Sequence, residues 1–585
     1  MSAQREASGE PEPQPQFPHA NIVAVRAMAD VLESTLGPVS HDKLVVHRLE
    51  SRTETGNPGV PATDEYTVTG DGATLLEELP VQHPVAPIVR RILGPERPGD
   101  TDVEGEDIPD GVTSAVVLCA NLLDEAESLL ADGVHSHDVR GGYALALDAA
   151  LAALDGESRA IDSFAADARI ERALARTAMT GNDVGGLADR WATLAVEAVD
   201  AVGRPTAATF AVRALGAGSL ADSHLVRGAA LDRNGRANRE MPKRVEDATV
   251  LLLDGHTTGG LQDPEWDEDA TLSVTAPGDI DGVRDLYAAK REEVVEHYVD
   301  LGVDVVVTRL GINAGYQRLL ADAGILGVRG VSPLEMKQVA LATGASLVHN
   351  PADVEASDLG HAGVVEERRI DPRRGRRASR RMTVFDDCPD PRSVTAVLHG
   401  VTGQVAEQAS TEVRKAAAAV ATARGVGASR PGVVPGAGAT ELRLAAAVRE
   451  SATGVDSKAQ LAALAFADAL ESVVASLVRN SGGDPLDVVA DLRAADHAGE
   501  GPAGYLLPGR IVGDPVAAGV VGPAAYTRRA LVAAVEVADL LLRVDDAIDA
   551  TFTEEPAGPD DVIYDERAEN HMDHLEKNPG TRWDR

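Results

Sequence analysis

Lysine is scarce in this chain, with seven among 585 residues. Acidic side chains number 93 against 55 basic ones, a net charge of −38. Such a surface repels nucleic acid and phosphate-rich membranes unless a local basic patch overrides it. Strong self-repulsion also suits a protein that works in concentrated salt, where the screening length shrinks to roughly 3 Å at 1 M. Cysteine is scarcer still. Cys119 and Cys388 alone exclude a disulfide framework and a four-thiolate zinc site, and they read as core-filling thiols. No run approaches the roughly 18 uninterrupted apolar residues of a membrane helix. The polar start MSAQREASGEPEPQPQFPHA lacks the apolar core of a secretory signal, so a cytoplasmic location without a membrane is expected. A GxxxxGK[ST] phosphate loop is missing as well, and any phosphate handling must rest on other segments.

What is present suggests three or four units, each with its own core. Residues 1–18 and 551–585 read as polar or acidic tails. After Ala20, Ile22, Val23, Ala27, Val31 and Leu32 recur at helical spacing and stop at Gly37-Pro38. Further helices are predicted from Ser114 to about Ala131, with Gly133 past the end, and around Tyr143 to Leu154. The middle alternates short β-rich runs, Thr249 to Leu253 and Val303 to Thr308, with helical segments, which predicts an α/β domain. From Thr402 onward the text is helical and Ala-rich again, through Leu531 to Ile548. Helical ends around an α/β insertion imply a discontinuous domain. The Arg-rich run from Arg368 to Arg381 reads as a solvated loop facing acidic surface, with a nucleic-acid contact as the alternative. The tail string HMDH lacks the surroundings that orient metal ligands.

Three short segments carry chemistry: Thr35-Leu36-Gly37-Pro38, Gly70-Asp71-Gly72-Ala73-Thr74 and Asp110-Gly111-Val112-Thr113-Ser114. Each adjoins a predicted helix. Small residues at a helix N-terminus let backbone N–H groups and the helix dipole meet an anion. A carboxylate in the same loop repels bare phosphate, but a hard cation between them turns repulsion into coordination, so Asp110 is the candidate metal ligand. Each Asp-Gly pair alone is an ordinary turn, and order and spacing carry the weight.

In that order, STLGPVSHDKL, TGDGATLLEEL, VQHPVAPIV and DGVTSAVVL resemble the N-terminal nucleotide-binding segments of the group II chaperonins, the thermosome family. TAMTGND, EMPKRVEDA, LGVDVVV, ATGASLV, VVEER, VVPGAGATEL, GGDPLDVVADLRA and LLLRVDDAI extend the likeness over roughly Asn21 to Ala550. The resemblance implies a multidomain α and α/β architecture. It places a discontinuous, mostly helical equatorial ATP-binding domain at 19–155 and 412–550, and a small α/β hinge domain at 156–221 and 366–411. An inserted α/β apical domain at 222–365 would bind clients and bear a protrusion near 255–285. Subunits of such proteins stack, with themselves or with paralogues, into back-to-back rings that enclose unfolded polypeptides. The resemblance further implies that Gly37 and Pro38 contact the nucleotide, that Gly72, Thr74, Gly111, Thr113 and Ser114 contact its phosphates, and that Asp110 holds Mg2+. Asp71 would position the attacking water. Gly436, Ala437 and Gly438 would lie beside ribose and base, with Asp484 in a neighbouring adenine segment.

The departures from the family's pattern bear on catalysis. Lys415 stands where active members carry a second catalytic Asp. Pro109 and Val112 alter the family's GDGTT, Val39 and Asn182 replace lysines, Ala437 replaces a glycine, and Gly522 stands where an acidic residue often meets the ribose. A general base contributes about 10²- to 10⁴-fold to rate, and a protonated lysine accepts no proton. Slow hydrolysis is therefore expected, with Lys415 instead meeting phosphate as a point charge and Glu412, one helical turn earlier, as a partial substitute. The readings are an ATP-hydrolysing chaperonin subunit with weakened turnover, or an inactive structural or regulatory paralogue in a mixed ring.

Overall fold

The computed structural model describes residues 18–47, 65–81, 83–94, 111–164, 167–180, 188–232, 235–254, 261, 277–369, 381–427, 430–499 and 501–544. Asp110, Asn182, nearly all of the Arg-rich run, most of the expected protrusion and the C-terminal tail lie outside them.

Three large cores organise the chain. The first joins both chain ends: Ile22, Leu32, Leu75, Leu122 and Tyr143 pack with Leu444, Phe466, Leu470, Leu531 and Ala538. Its central helix, Ala459–Asn480, is long and apolar enough to cross a membrane. Its apolar length is spent on the protein interior, because it packs between the helices Ser136–Glu157, Val112–Ala131 and Ala439–Ala452. Tyr143 meets Phe466 edge-on at 6.0 Å between ring centroids, an arrangement worth about 0.5–1.5 kcal/mol beyond area burial. Its hydroxyl donates to the Leu122 carbonyl at 2.6 Å, so no polar atom is stranded.

A second core gathers the helices Asp167–Ala178, Ala188–Val202 and Gln404–Ala423 over a three-stranded sheet. There Val394–His399 runs parallel to Phe210–Leu215 and antiparallel to His224–Val226. The third core is α/β, as the alternation of the middle sequence predicts. Val250 to Leu253 and Val305 to Val307 are fully buried, the pattern of strands covered on both faces. In this seven-stranded sheet Arg244–Leu253, Val305–Thr308 and Leu326–Arg329 pair in parallel, while Gly360–Arg369, Arg381–Asp386 and Ala229–Asp232 extend it antiparallel. Helical ends around an α/β centre are what the sequence pattern implied. Cys119 and Cys388 are buried and unpaired with each other, and burial pushes both thiols up to about 12, leaving them inert core residues.

Candidate functional site

The segment TGDGAT builds its own turn. Asp71 caps the short helix Gly72–Glu78, its Oδ2 accepting from the Thr74 N–H at 3.0 Å and the Thr74 hydroxyl at 2.8 Å. Gly72 is required by proximity. A Cβ there would come within 2.1 Å of Thr113 Oγ1, at the start of the long helix Val112–Ala131. Gly111, at φ 89°, takes the left-handed conformation that lets the chain enter that helix. Thr113 Oγ1 lies 3.4 Å from Thr35 Oγ1, which joins the third segment to the other two. Gly37, at φ 92°, leaves room for Leu477, and Asn480 donates to the carbonyls of Glu33 and Leu36, pinning the turn to the central helix.

These turns wall a cleft enclosing about 620 Å³ of atom-free space, part of it open to solvent. Gly37, Asp71, Gly72, Gly111, Thr113, Ser114 and Lys415 all line it, as does Glu412. Pro38 is exposed in the turn beside it, and Thr74 reaches it through Asp71. Thr35, from the first of the three segments, also lines the cleft, as do Ser40, Ala178 and Thr180, which the three segments do not include. Ala178 and Thr180 fall in the TAMTGND string, where small and hydroxyl side chains beside a helix end were the available signal.

Lys415 projects from the Gln404–Ala423 helix across the cleft. Its Nζ is 2.5 Å from Asp71 Oδ1 and 3.7 Å from Glu412 Oε1. All three side chains are well sequestered, at 14%, 16% and 3% exposed for Lys415, Asp71 and Glu412. Burial by itself pushes the Asp71 carboxyl up. The charge and hydrogen bond of Lys415, with both Thr74 bonds, outweigh burial and hold it below the usual carboxylate range. One Asp71 oxygen is thus taken by Thr74 and the other by Lys415. Asp71 and Glu412 are the only carboxylates among the described lining residues, and both lie in ion-pair reach of Lys415.

The other expected contacts form a second cluster. The bend Gly436 to Gly438 links the strand Val433–Pro435 to the helix Ala439–Ala452, with Ala437 at φ 57° and Gly438 at φ 79°. A Cβ on Gly438 would meet Val474 at 2.8 Å, one turn before Leu477, which faces Gly37. Bends from opposite ends of the chain thus rest on successive turns of one helix. Asp484 caps the helix Pro485–His497 by accepting from the Leu486 N–H, and Tyr505 ties this cluster together, with its N–H on the Ala437 carbonyl at 3.0 Å. These residues do not line the cleft that holds Lys415.

The TCP-1/cpn60 chaperonin family model matches residues 28–551. A thermosome subunit of Methanopyrus kandleri is 34% identical over 537 residues, 91% of each chain. A thermosome subunit beta of Archaeoglobus fulgidus is 34% identical over 92% of this chain and 93% of its own. Thermosome subunit 1 of Haloferax volcanii is 33% identical over 91% of this chain and 88% of its own.

Proposed function

Because this chain belongs to the TCP-1/cpn60 chaperonin family, as a group II member, we propose that it is an ATP-dependent chaperonin subunit with weakened hydrolysis. In this reading it works in the cytoplasm, assembling with itself or with paralogous subunits into a double ring that binds and encloses unfolded polypeptides. The cleft takes the nucleotide phosphates on the N-terminus of the Val112–Ala131 helix, through Gly111, Thr113 and Ser114, with Gly72 and Thr74 opposite and Gly37 and Pro38 at the nucleotide's side. Gly436, Ala437, Gly438 and Asp484 serve ribose and base. Magnesium, implied by the family, enters only through Asp110. The helical core of both chain ends is the equatorial domain, the seven-stranded sheet the apical domain, and the core around Trp191 the hinge, which takes in the helix Gln404–Ala423 and so runs past the expected boundary at 412. Nucleotide closes the ring only by binding the closed state more tightly than the open one.

One observation carries the weakened turnover: Lys415 sits 2.5 Å from Asp71 inside the cleft. Asp71, the carboxylate assigned to position water, is occupied by an ammonium that accepts no proton. Lys415→Asp is expected to raise ATP turnover by about tenfold or more, read as phosphate release from correctly assembled protein. An unchanged or lower rate removes the assignment. The same ion pair also favours a second reading, an inactive regulatory paralogue in a mixed ring. Tight nucleotide binding with negligible phosphate release by the wild-type protein selects it.

A further inference from the structure

The turn that follows the helix Pro18–Glu33 has no regular ladder to hold its shape. Thr35, Leu36 and Gly37 of that turn line the cleft, and Gly37 sits at φ 92°, so contacts from outside must fix the course of the backbone. They come from the C-terminal end of the helix Ala459–Asn480. Val474, Leu477 and Asn480 follow one another at three-residue spacing and are neighbours along its surface. Val474 fills the space beside Gly438, and Leu477 the space beside Gly37. The Asn480 side-chain amide donates to the Glu33 carbonyl at 2.7 Å and to the Leu36 carbonyl at 3.0 Å. A carboxamide nitrogen carries two hydrogens, so one side chain serves both the end of the first helix and the peptide that leads into Gly37. The support beneath is firm, because Val473, Val474 and Val478 are buried. A separate tie holds the first helix but not the turn: the Glu33 carboxylate accepts from Ser476 Oγ at 2.5 Å and from Arg479 Nη1 at 2.6 Å.

We propose that Asn480 is a positioning residue for nucleotide binding. It does not line the cleft; it fixes the turn whose Thr35, Leu36 and Gly37 form one wall, and so sets the affinity for ATP from behind. The proposal rests on the nucleotide reading above. A wall already ordered by the protein spares the ligand the cost of ordering it on binding. The same helix face also supports the Gly436 to Gly438 bend through Val474, so the spacing of the two clusters is set by the fold and not by the nucleotide.

The test is the affinity of assembled, full-length protein for ATP, by competition with a fluorescent analogue in concentrated KCl with Mg2+. Asn480→Leu keeps the volume, removes both donors and is expected to weaken binding by about tenfold. Ser476→Ala cuts the tie to the Glu33 carboxylate and leaves the turn alone. It is expected to lower the urea midpoint as Asn480→Leu does, yet to keep ATP affinity within about twofold of wild type. Wild-type affinity in Asn480→Leu overturns the proposal and leaves the nucleotide reading intact. An equal loss in both variants also overturns it, because loosening of the helix pair would then account for the effect. Absence of ATP binding by the wild-type protein overturns the nucleotide reading and this proposal with it. Hydrogen exchange of nucleotide-free wild-type protein decides if Asn480→Leu fails to assemble. Amides of residues 34–41 are expected to exchange at least about tenfold more slowly than an unfolded chain, and exchange at the unfolded rate would mean that no residue positions the turn before the ligand arrives.

Discussion

Lys415 Nζ and Asp71 Oδ1 stand 2.5 Å apart although 344 residues separate them in the chain. The pair joins two cores. Asp71 belongs to the turn ahead of Leu75 and Leu76 in the helical core of the chain ends, and Lys415 lies beside Val413 and Ala416 of the second core.

The pair sets an acid dependence of stability. Asp71 is held below its ordinary value in the folded protein, so in the window between the folded value and the unfolded value of about 3.9 the unfolded chain binds more protons. Its contribution is fully present above about pH 4 to 5 and is lost as pH falls through the folded value. Lys415→Met leaves a buried, unpaired carboxylate and is expected to cost about 3–5 kcal/mol at neutral pH. Urea unfolding of both proteins from about pH 7 down to pH 2.5 should show that gap closing as Asp71 protonates in the variant. A gap that stays constant over the whole range rejects the assignment.

Gly72 tests the packing of the two phosphate-side turns. Its missing Cβ leaves the space taken by Thr113 Oγ1, at 2.1 Å from the would-be atom, with the Thr113 backbone nitrogen at 3.0 Å. Because backbone is among the atoms met, rotating a side chain does not relieve the clash. Gly72→Ala is expected to cost about 1–3 kcal/mol by overpacking. The double variant Gly72→Ala/Thr113→Ala should cost less than Gly72→Ala and Thr113→Ala summed, because it removes the nearest clashing atom. Strict additivity would mean the two turns do not touch.

Much of this was legible in the sequence, for physical reasons that differ by region. The 112–131 and 136–157 helices follow from three- and four-residue apolar spacing, but the spacing marks the second only around Tyr143 to Leu154, short of its first two turns and of residues 155–157, where apolar residues are sparse. The strand Arg244–Leu253 was seen from Thr249 only, because its first half is mostly exposed and lacks an apolar run. At the site, Gly72, Gly111 and Thr113 were found through small-residue turns beside helices. Thr180 carries no such local mark, since a hydroxyl shows its role only once folding brings another segment to it. The contact between Lys415 and Asp71 was not readable. Spacing along one helix relates Lys415 to Glu412, but nothing local tells a helix which distant carboxylate it will face.

Ala437 holds a backbone conformation that suits glycine. At φ 57° an L side chain costs roughly 1–2 kcal/mol, and the sequence puts alanine where the resembled family carries glycine. Ala437→Gly relieves that strain but adds about 0.4–1 kcal/mol of unfolded-chain entropy. The net expectation is stabilisation of about 0.5–1 kcal/mol, read as a higher urea midpoint at unchanged slope. Destabilisation would show that the Ala437 side chain contributes more by packing against Gly504 than it costs in strain.

Salt has two opposed effects on this protein, and the charge count decides between them. Exposed ion pairs such as Arg176 with Asp189 and Arg318 with Asp322 weaken as the screening length falls from about 10 Å at 0.1 M to about 3 Å at 1 M. Exposed pairs contribute only about 0–1 kcal/mol each. Against them stands a surplus of 38 negative charges with no basic side chains left to pair with, and their repulsion is relieved by the same screening. The thermal midpoint is therefore expected to rise by several degrees between about 0.1 and 2 M KCl. Sucrose at matched osmolality separates screening from solute exclusion, because sucrose strengthens burial without screening charge. A midpoint that falls in KCl would mean that the pairs outweigh the surplus. A rise reproduced in full by sucrose would mean that repulsion among the acidic side chains is not what limits stability at low salt.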